Sequence, residues 1–257
     1  MVRGNQMTQV DFAHKNIRVK MLETADELYQ TRRLRYEELI LFHRDRAEIS
    51  FEQSYNDDDL YCDHLIAIDT DTSEVVGSYR LITRKHLKTI NKFACENNFN
   101  IDDIKKQSYN VMELGRAVVK NGYRDGLVIK MLLSGVLKYV TQNDIRLMFG
   151  SIFFPPMEKE AFDKLLSYFN MSVSKDSSLQ PYAYEPYLTL NRTPIEALNL
   201  NEVKRTVPPI LKAYISMGCV FAKSAHLEDK VFDAPNILIM LDFTTMNKKF
   251  VELMTRL

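Results

Sequence analysis

Cysteine is scarce in this chain, and the three present, Cys62, Cys95 and Cys219, lie far apart with no Cys-x-x-Cys pair and no histidine at ligand spacing. A disulfide framework and a zinc site are excluded, which leaves the incidental thiols of a reduced, cytosolic protein. An excess of charge of one sign is also lacking. Lysine plus arginine and aspartate plus glutamate balance at 34 each, so no global field draws the chain to nucleic acid or to an anionic membrane, and any charged partner must be met by a local patch. No apolar run nears the ~20 residues that span a bilayer, and Met1 to Lys15 lacks the apolar stretch of a secretory signal. The expectation is a cytoplasmic protein, at most peripheral on the inner membrane face. Catalytic signatures are missing as well: there is no Gly-x-Ser-x-Gly, His-Glu-x-x-His, Walker loop or Gly-x-Gly-x-x-Gly. The acidic run Asp57–Asp59 lacks the glycine and the closing glutamate of a calcium loop, so no metal site is expected.

What is present is enough apolar sequence for one sizeable core: 46% of 257 residues are hydrophobic and 26% are charged. A leader over 1–16 precedes a single domain over 17–257, with its core at about 17–170 and a C-terminal elaboration at about 171–257. Alternation marks strands at 17–22, 64–69, 75–82, 110–119, 145–154, 187–190, 219–222 and 237–243, the second and third forming a hairpin. Helical spacing marks 24–42, 100–106, 127–140, 158–170, 207–218 and 246–257. The sum is an α/β (α+β) chain with antiparallel hairpins early and a strand-helix-strand crossover in the middle.

The crossover carries the chemistry. Glu113-Leu-Gly-Arg116-Ala-Val-Val is followed by the polar turn Tyr123-Arg-Asp-Gly126 and an apolar helix, a strand-loop-helix unit of the kind that sets anions against free backbone N–H groups. On a regular strand residues 113 and 116 face opposite sides. A bulge, which Gly115 would permit, puts both on one face, where Glu113 could act as a general base on an amine while Arg116 holds an anion. An ordinary strand with one structural ion pair is the other reading of the same residues. Arg80, inside an apolar strand, needs a partner, because burying it alone is expensive. The terminal segment Phe250–Leu257 has apolar residues at helical spacing, and core packing and an interfacial anchor both stand open.

In order and spacing, these pieces resemble the GNAT-fold N-acyltransferases of the ornithine-lipid-synthesis (hemolysin-like) group, and more distantly the acyl-homoserine-lactone synthases and N-acyl amino acid synthases. The resemblance runs from Arg35 and the aspartates before His64-Leu-Ile, through Val76-Gly-Ser-Tyr-Arg80-Leu, Glu113–Val119, Tyr123-Arg-x-Gly and Leu147-Met-Phe-Gly-Ser151, to Pro208–Tyr214 and Leu241-Asp242. It implies a mixed, mostly antiparallel central sheet flanked by helices, with a C-terminal helix-strand extension. It further implies transfer of a fatty, even 3-hydroxylated, acyl group from acyl carrier protein to the α-amine of ornithine, giving a lyso-lipid. Other acceptors (glycine, tyrosine, or a homoserine-lactone-type substrate) and a non-catalytic acyl-carrier or lipid-binding module are the alternatives. Carried over, Glu113 and Arg116 are the catalytic candidates, and Arg35, Arg80, Asp59, Asp63 and Ser151 bind the acceptor. Val118, Arg124, Gly126 and Phe149 bind the donor. The shortened loop, with one glycine at Gly126, leaves little room for a pyrophosphate. Phosphopantetheine on acyl carrier protein is therefore expected as co-substrate in preference to coenzyme A, with no bound cofactor. Arg84, Lys85 and Lys88, together with Lys120, Arg124 and Lys130, form the expected docking surface for that acidic partner.

Overall fold

Apolar residues at every second position build most of this molecule into one sheet. A computed structural model describes residues 10–41, 49–155, 157–228, 234–247 and 249. Its strands are β1 (Asp11–His14), β2 (Ile17–Met21), β3 (Asp63–Asp69), β4 (Glu74–Thr83), β5 (Phe99–Asn100), β6 (Asn110–Val119), β7 (Ile145–Phe153), β8 (Tyr182–Ala183), β9 (Tyr187–Thr189), β10 (Val220–His226) and β11 (Asn236–Asp242). The helices are α1 (Ala25–Arg35), α2 (Leu87–Ile90), α3 (Asp102–Lys105), α4 (Leu127–Gln142), α5 (Lys159–Asn170), α6 (Leu200–Thr206) and α7 (Pro209–Met217). The main sheet has the order β1-β2-β3-β4-β6-β7-β11-β10-β9, and β5 pairs with β8 beside it. Neighbours run antiparallel except β6 and β7, which the α4 crossover makes parallel.

Each face of the sheet has its own core. On one, α4, α5 and α7 cover Leu65, Tyr79, Leu81, Leu114, Met148 and Ile239. Ten of the sixteen residues of α4 are buried, which is why its sequence is apolar almost all round. On the other face, Ile82, Val111, Leu147, Phe149 and Leu238 pack under Phe93 and Phe99. There α1 lays Leu34 on Ile66 and Val118. Helix α1 starts at a capping box in which Thr24 Oγ1 accepts from Glu27 N–H while the Glu27 carboxylate accepts from Thr24 N–H.

Several boundaries differ from those expected. The described part of the leader is not loose: Asp11–His14 extends the sheet as its edge strand, held by pairing with β2 and by the Arg18–Asp11 ion pair. The single helix expected over 24–42 widens after Arg35 into a π-type turn at Tyr36–Ile40, and Phe42 lies outside the described residues. Strands β9, β10 and β11 of the C-terminal elaboration continue the main sheet from β7. Helix α6, capped by Asn199, was not anticipated. The closing helix expected over 246–257, with its question of membrane contact, lies outside the described residues. Among the described residues no helix is long and apolar enough to cross a membrane.

Candidate active site

Two irregularities open the sheet at β6. Pairing with β4 slips between Ser78 and Arg80, so that three steps of β6, from Gly115 to Val118, oppose two of β4. This is a β-bulge, the alternative to a regular strand left open by the spacing of Glu113 and Arg116. The residue that absorbs the turn is Arg116, at φ +53°, and not the glycine beside it. On the other edge, the parallel ladder with β7 ends at Glu113–Phe149. One step beyond, a Cβ on Gly150 would stand 2.1 Å from the Leu114 carbonyl oxygen, so glycine is required for the two strands to lie this close at the last point before they part. Past it the strands diverge around a cavity of about 230 Å³.

The two walls of this cavity differ because side chains alternate across the sheet. One wall carries Arg80, Glu113, Asn97, Asn98 and Ser151; the other carries Leu114, Met148, Ile210, Ile239 and Leu241 with Tyr79 and Tyr214. The two phenols are 135 residues apart in sequence and share one hydrogen bond of 2.9 Å. Burial raises the pKa of both, which keeps them neutral. No sequence signal pointed to this pair, since Tyr79 sits at an ordinary inward strand position and Tyr214 on an ordinary apolar helix.

Glu113 is buried on the polar wall, its two oxygens accepting the N–H groups of Ala94 (2.7 Å) and Cys95 (3.0 Å) at the start of the turn Ala94–Asn97. The Cys95 thiol donates to the same carboxylate, which leaves one lone-pair site of about four. Burial raises the Glu113 pKa, against the pull of Arg80 and of the two N–H donors. The result is a stronger base than an exposed carboxylate, set in a wall it also helps to position.

Beside it is a buried charge cluster. Asp59 Oδ1 lies 3.4 Å from Arg35 Nη1 and 3.2 Å from Arg80 Nη1, and its Oδ2 is 3.6 Å from Arg32 Nε. Burial alone would raise the Asp59 pKa, but Arg35 and Arg80 outweigh it and hold the carboxyl well below the usual range. Burial, with Arg80 and Arg116 nearby, pulls Arg35 down to about 9 despite Asp59, which still leaves it charged at neutral pH. His64 closes the cluster. Because a guanidinium can only donate, Nδ1 accepts from Arg35 Nη2 (2.9 Å) and Nε2–H donates to the Asp59 carbonyl (2.8 Å). Burial and then Arg35 depress its pKa to about 3, so the ring is neutral. Three guanidiniums around one carboxylate leave net positive charge behind the polar wall, which suits an anionic group in the cavity.

Of the residues singled out from sequence, Glu113, Arg116, Arg80, Ser151 and Phe149 line the cavity together. Arg35 and Asp59 back that wall from the cluster. Asp63 does not join them: its carboxylate accepts from Tyr139 Oη (2.6 Å) and pairs with Lys85 (2.7 Å), tying β3 to α4. Val118 is off the cavity, packed with Leu34 and Ile66. Arg124 Nε donates to the Val119 carbonyl and its guanidinium pairs with Glu38. Gly126 caps α4 at φ +101°, and Asp125 already accepts the Leu127 N–H. This carboxylate at the helix start works against a bound pyrophosphate.

The single basic surface expected from sequence divides in two. Lys120 bonds to the Val76 end of β4, whereas Arg84 and Lys85 follow its Thr83 end, about 23 Å away along the strand. Arg84 is spent on the carbonyls of Ile104, Lys105 and Gln107. Only the Lys120, Arg124 and Lys130 group lies at the end where β6 and β7 part. Burial holds all three cysteine thiols protonated. Among the described residues no cluster could hold a metal ion.

Known proteins share parts of this sequence and of this fold. Residues 31–134 match the model of the acetyltransferase (GNAT) domain. The L-ornithine Nα-acyltransferase of Rhodobacter capsulatus is 26% identical over 252 residues, covering 93% of this chain and 94% of that protein. The L-ornithine Nα-acyltransferase of Agrobacterium fabrum is 26% identical over 202 residues, 76% of this chain and 69% of that protein. Among solved structures, the N-acyl amino acid synthase FeeM from uncultured soil microbes superposes with a TM-score of 0.50 at 11% identity, covering 89% of this chain and 92% of that one. That likeness is one of fold, a mixed sheet, mostly antiparallel and flanked by helices.

Proposed function

We propose that this chain, a GNAT-fold acyltransferase, moves a fatty acyl group from a thioester on acyl carrier protein to the α-amine of ornithine. The observation that carries the reading is the parted β6–β7 cavity, with Glu113 on a charged wall and an apolar wall opposite. Similarity to ornithine Nα-acyltransferases along 93% of the chain supports the acceptor.

In this reaction the amine nitrogen attacks the thioester carbonyl, the carbon–sulfur bond breaks, and the amine proton ends on the departing carrier thiol. Attack needs a neutral amine. Glu113, its basicity raised by burial, takes the proton through the lone pair left by Ala94 and Cys95. Backbone N–H groups of β6 beyond the last ladder pair face the developing oxyanion; loss of one such donor costs other enzymes about 3–4 kcal/mol. Arg80 and Arg116, with Arg35 behind them, draw the acceptor's carboxylate to the polar wall, and the acyl chain lies along Met148, Ile239 and Leu241. Carrier protein is favoured over coenzyme A because Asp125 occupies the first N–H of α4, while Lys120 and Lys130 offer charge to an acidic partner.

The test is a matrix of donors and acceptors: acyl carrier protein or coenzyme A thioesters against ornithine, glycine, tyrosine and homoserine-type amines, read by thiol release and product mass. Acyl-ornithine formed fastest from the carrier thioester is the expected result. Preference for another amine, or for the coenzyme A donor, would replace that half of the assignment. Carrier binding without thiol release from any acceptor would mark a binding module instead.

A further inference from the structure

The hydrogen bonds that Glu113 accepts all come from one turn. Its donors are the N–H groups of Ala94 and Cys95 and the thiol of Cys95, at the start of Ala94–Asn97. Two of the three belong to the main chain, so the thiol is the one donor that a side-chain substitution can remove. Cys95 and Glu113 are both buried and both line the cavity.

The other groups around Glu113 act on it differently. Arg80, from β4, attracts it by charge while its Nη1 is given to Asp59. Cys62, ahead of β3, and Glu96, beside Cys95 on the turn, add further titratable groups nearby. Arg116 shares the cavity lining, and the ladder partner on β7 is Phe149, which does not titrate. A carboxylate offers about four lone-pair sites. With three of them occupied its rotation is fixed, and the fourth is where an amine proton can go. A thiol suits this task. Burial keeps it protonated, and as a weak neutral donor it orients the carboxylate with little loss of basicity, whereas a lysine or arginine in its place would suppress the base.

Resting on the acyl-transfer reading above, we propose that Cys95 is a positioning residue for the base: its thiol fixes the rotation of the Glu113 carboxylate so that a single lone pair meets the acceptor amine. The acyl group passes directly from carrier to amine and is never held on Cys95.

The test compares wild type, Cys95→Ala and Cys95→Ser in the pH dependence of kcat/KM with an acyl carrier thioester and ornithine. Removing a donor from the charged form makes Glu113 a stronger base. The acid limb of the Cys95→Ala profile is therefore expected to move to higher pH, and its plateau to fall about tenfold because the carboxylate is less well directed. Cys95→Ser keeps a donor on the same carbon and is expected to restore both. A role in packing alone would lower Tm and scale the activity by one factor at every pH, and an acid limb that stays in place would overturn the proposal. An acyl group found by peptide mass on Cys95 after incubation with the thioester would overturn it as well. Should the alanine variant not fold, Cys95→Val is a second donor-free variant with the same readout. If no amine is acylated by any form, the acyl-transfer reading fails by itself. The Glu113 carboxyl, followed by carbon NMR and assigned by its loss in Glu113→Gln, then still decides whether the thiol acts on it: titration at the same pH in wild type and Cys95→Ala would show that it does not.

Discussion

The two walls of the parted strands are built from the same β6 and β7 residues taken alternately, yet they are opposites in physical character. The wall under α7 is apolar, and its two hydroxyls, Tyr79 and Tyr214, satisfy each other. The wall under α1 holds Glu113, Arg80, Arg116 and a neighbouring set of ion pairs that does not balance in charge. In the reaction proposed above, the difference lets one strand serve both halves of an acyl transfer: period-two alternation assigns the hydrocarbon to one side of the sheet and the charged acceptor to the other.

The strongest way to break the contrast is to neutralise the base. Glu113→Gln is expected to lower kcat by about 100- to 1000-fold, and to lower Tm as well, because an amide nitrogen would face one of the N–H groups of Ala94 and Cys95. Steady-state rates with a melting curve separate the two effects, and a rate near wild type removes Glu113 from the chemistry.

Next is the charge cluster. Asp59→Asn leaves Arg35 and Arg80 buried without a counter-charge and is expected to destabilise the fold by about 3–5 kcal/mol in denaturant titration. The same cluster predicts an acid limit. His64 binds a proton more weakly in the folded chain, at about 3, than at its ordinary value of 6.5. Between those values the unfolded chain holds more protons, so stability falls as pH falls through the window. His64→Gln is expected to flatten that slope.

The opening itself is tested by Gly150→Ala. The added methyl meets the Leu114 carbonyl, and separating the strands to admit it is expected to cost about 1–3 kcal/mol together with much of the activity. An alanine variant as stable and active as wild type would show that the close approach is dispensable. The smallest change sharpens the role of Arg116. Arg116→Gly relieves a left-handed residue and is expected to add about 1 kcal/mol of stability while raising KM for the acceptor. A KM for the acceptor equal to wild type would remove Arg116 from the acceptor site.

Much of this was legible in the sequence, for identifiable reasons. Period-two runs gave the long strands, and the apolar stretch after Gly126 gave α4, since burial on nearly every side leaves a continuous signal. The odd spacing of Glu113 and Arg116 left a regular strand and a bulge both open, and the pairing with β4 holds a bulge. Other features depended on pairing. The ion partner of Arg80, Asp59, lies 21 positions away, and Asp63 is indistinguishable from Asp59 in sequence until folding places one against Tyr139 and the other among the arginines. The basic surface looked single because sequence proximity hides the length of β4.

The most direct measurement of the division of labour between the walls uses Ile239→Phe, which adds bulk to the apolar wall alone. Specificity constants are measured for a graded series of acyl chain lengths, each with ornithine and with a second amino acid. The account requires the optimum to move to shorter chains with the ratio between the two acceptors unchanged. A changed acceptor ratio with the same chain-length optimum would contradict it.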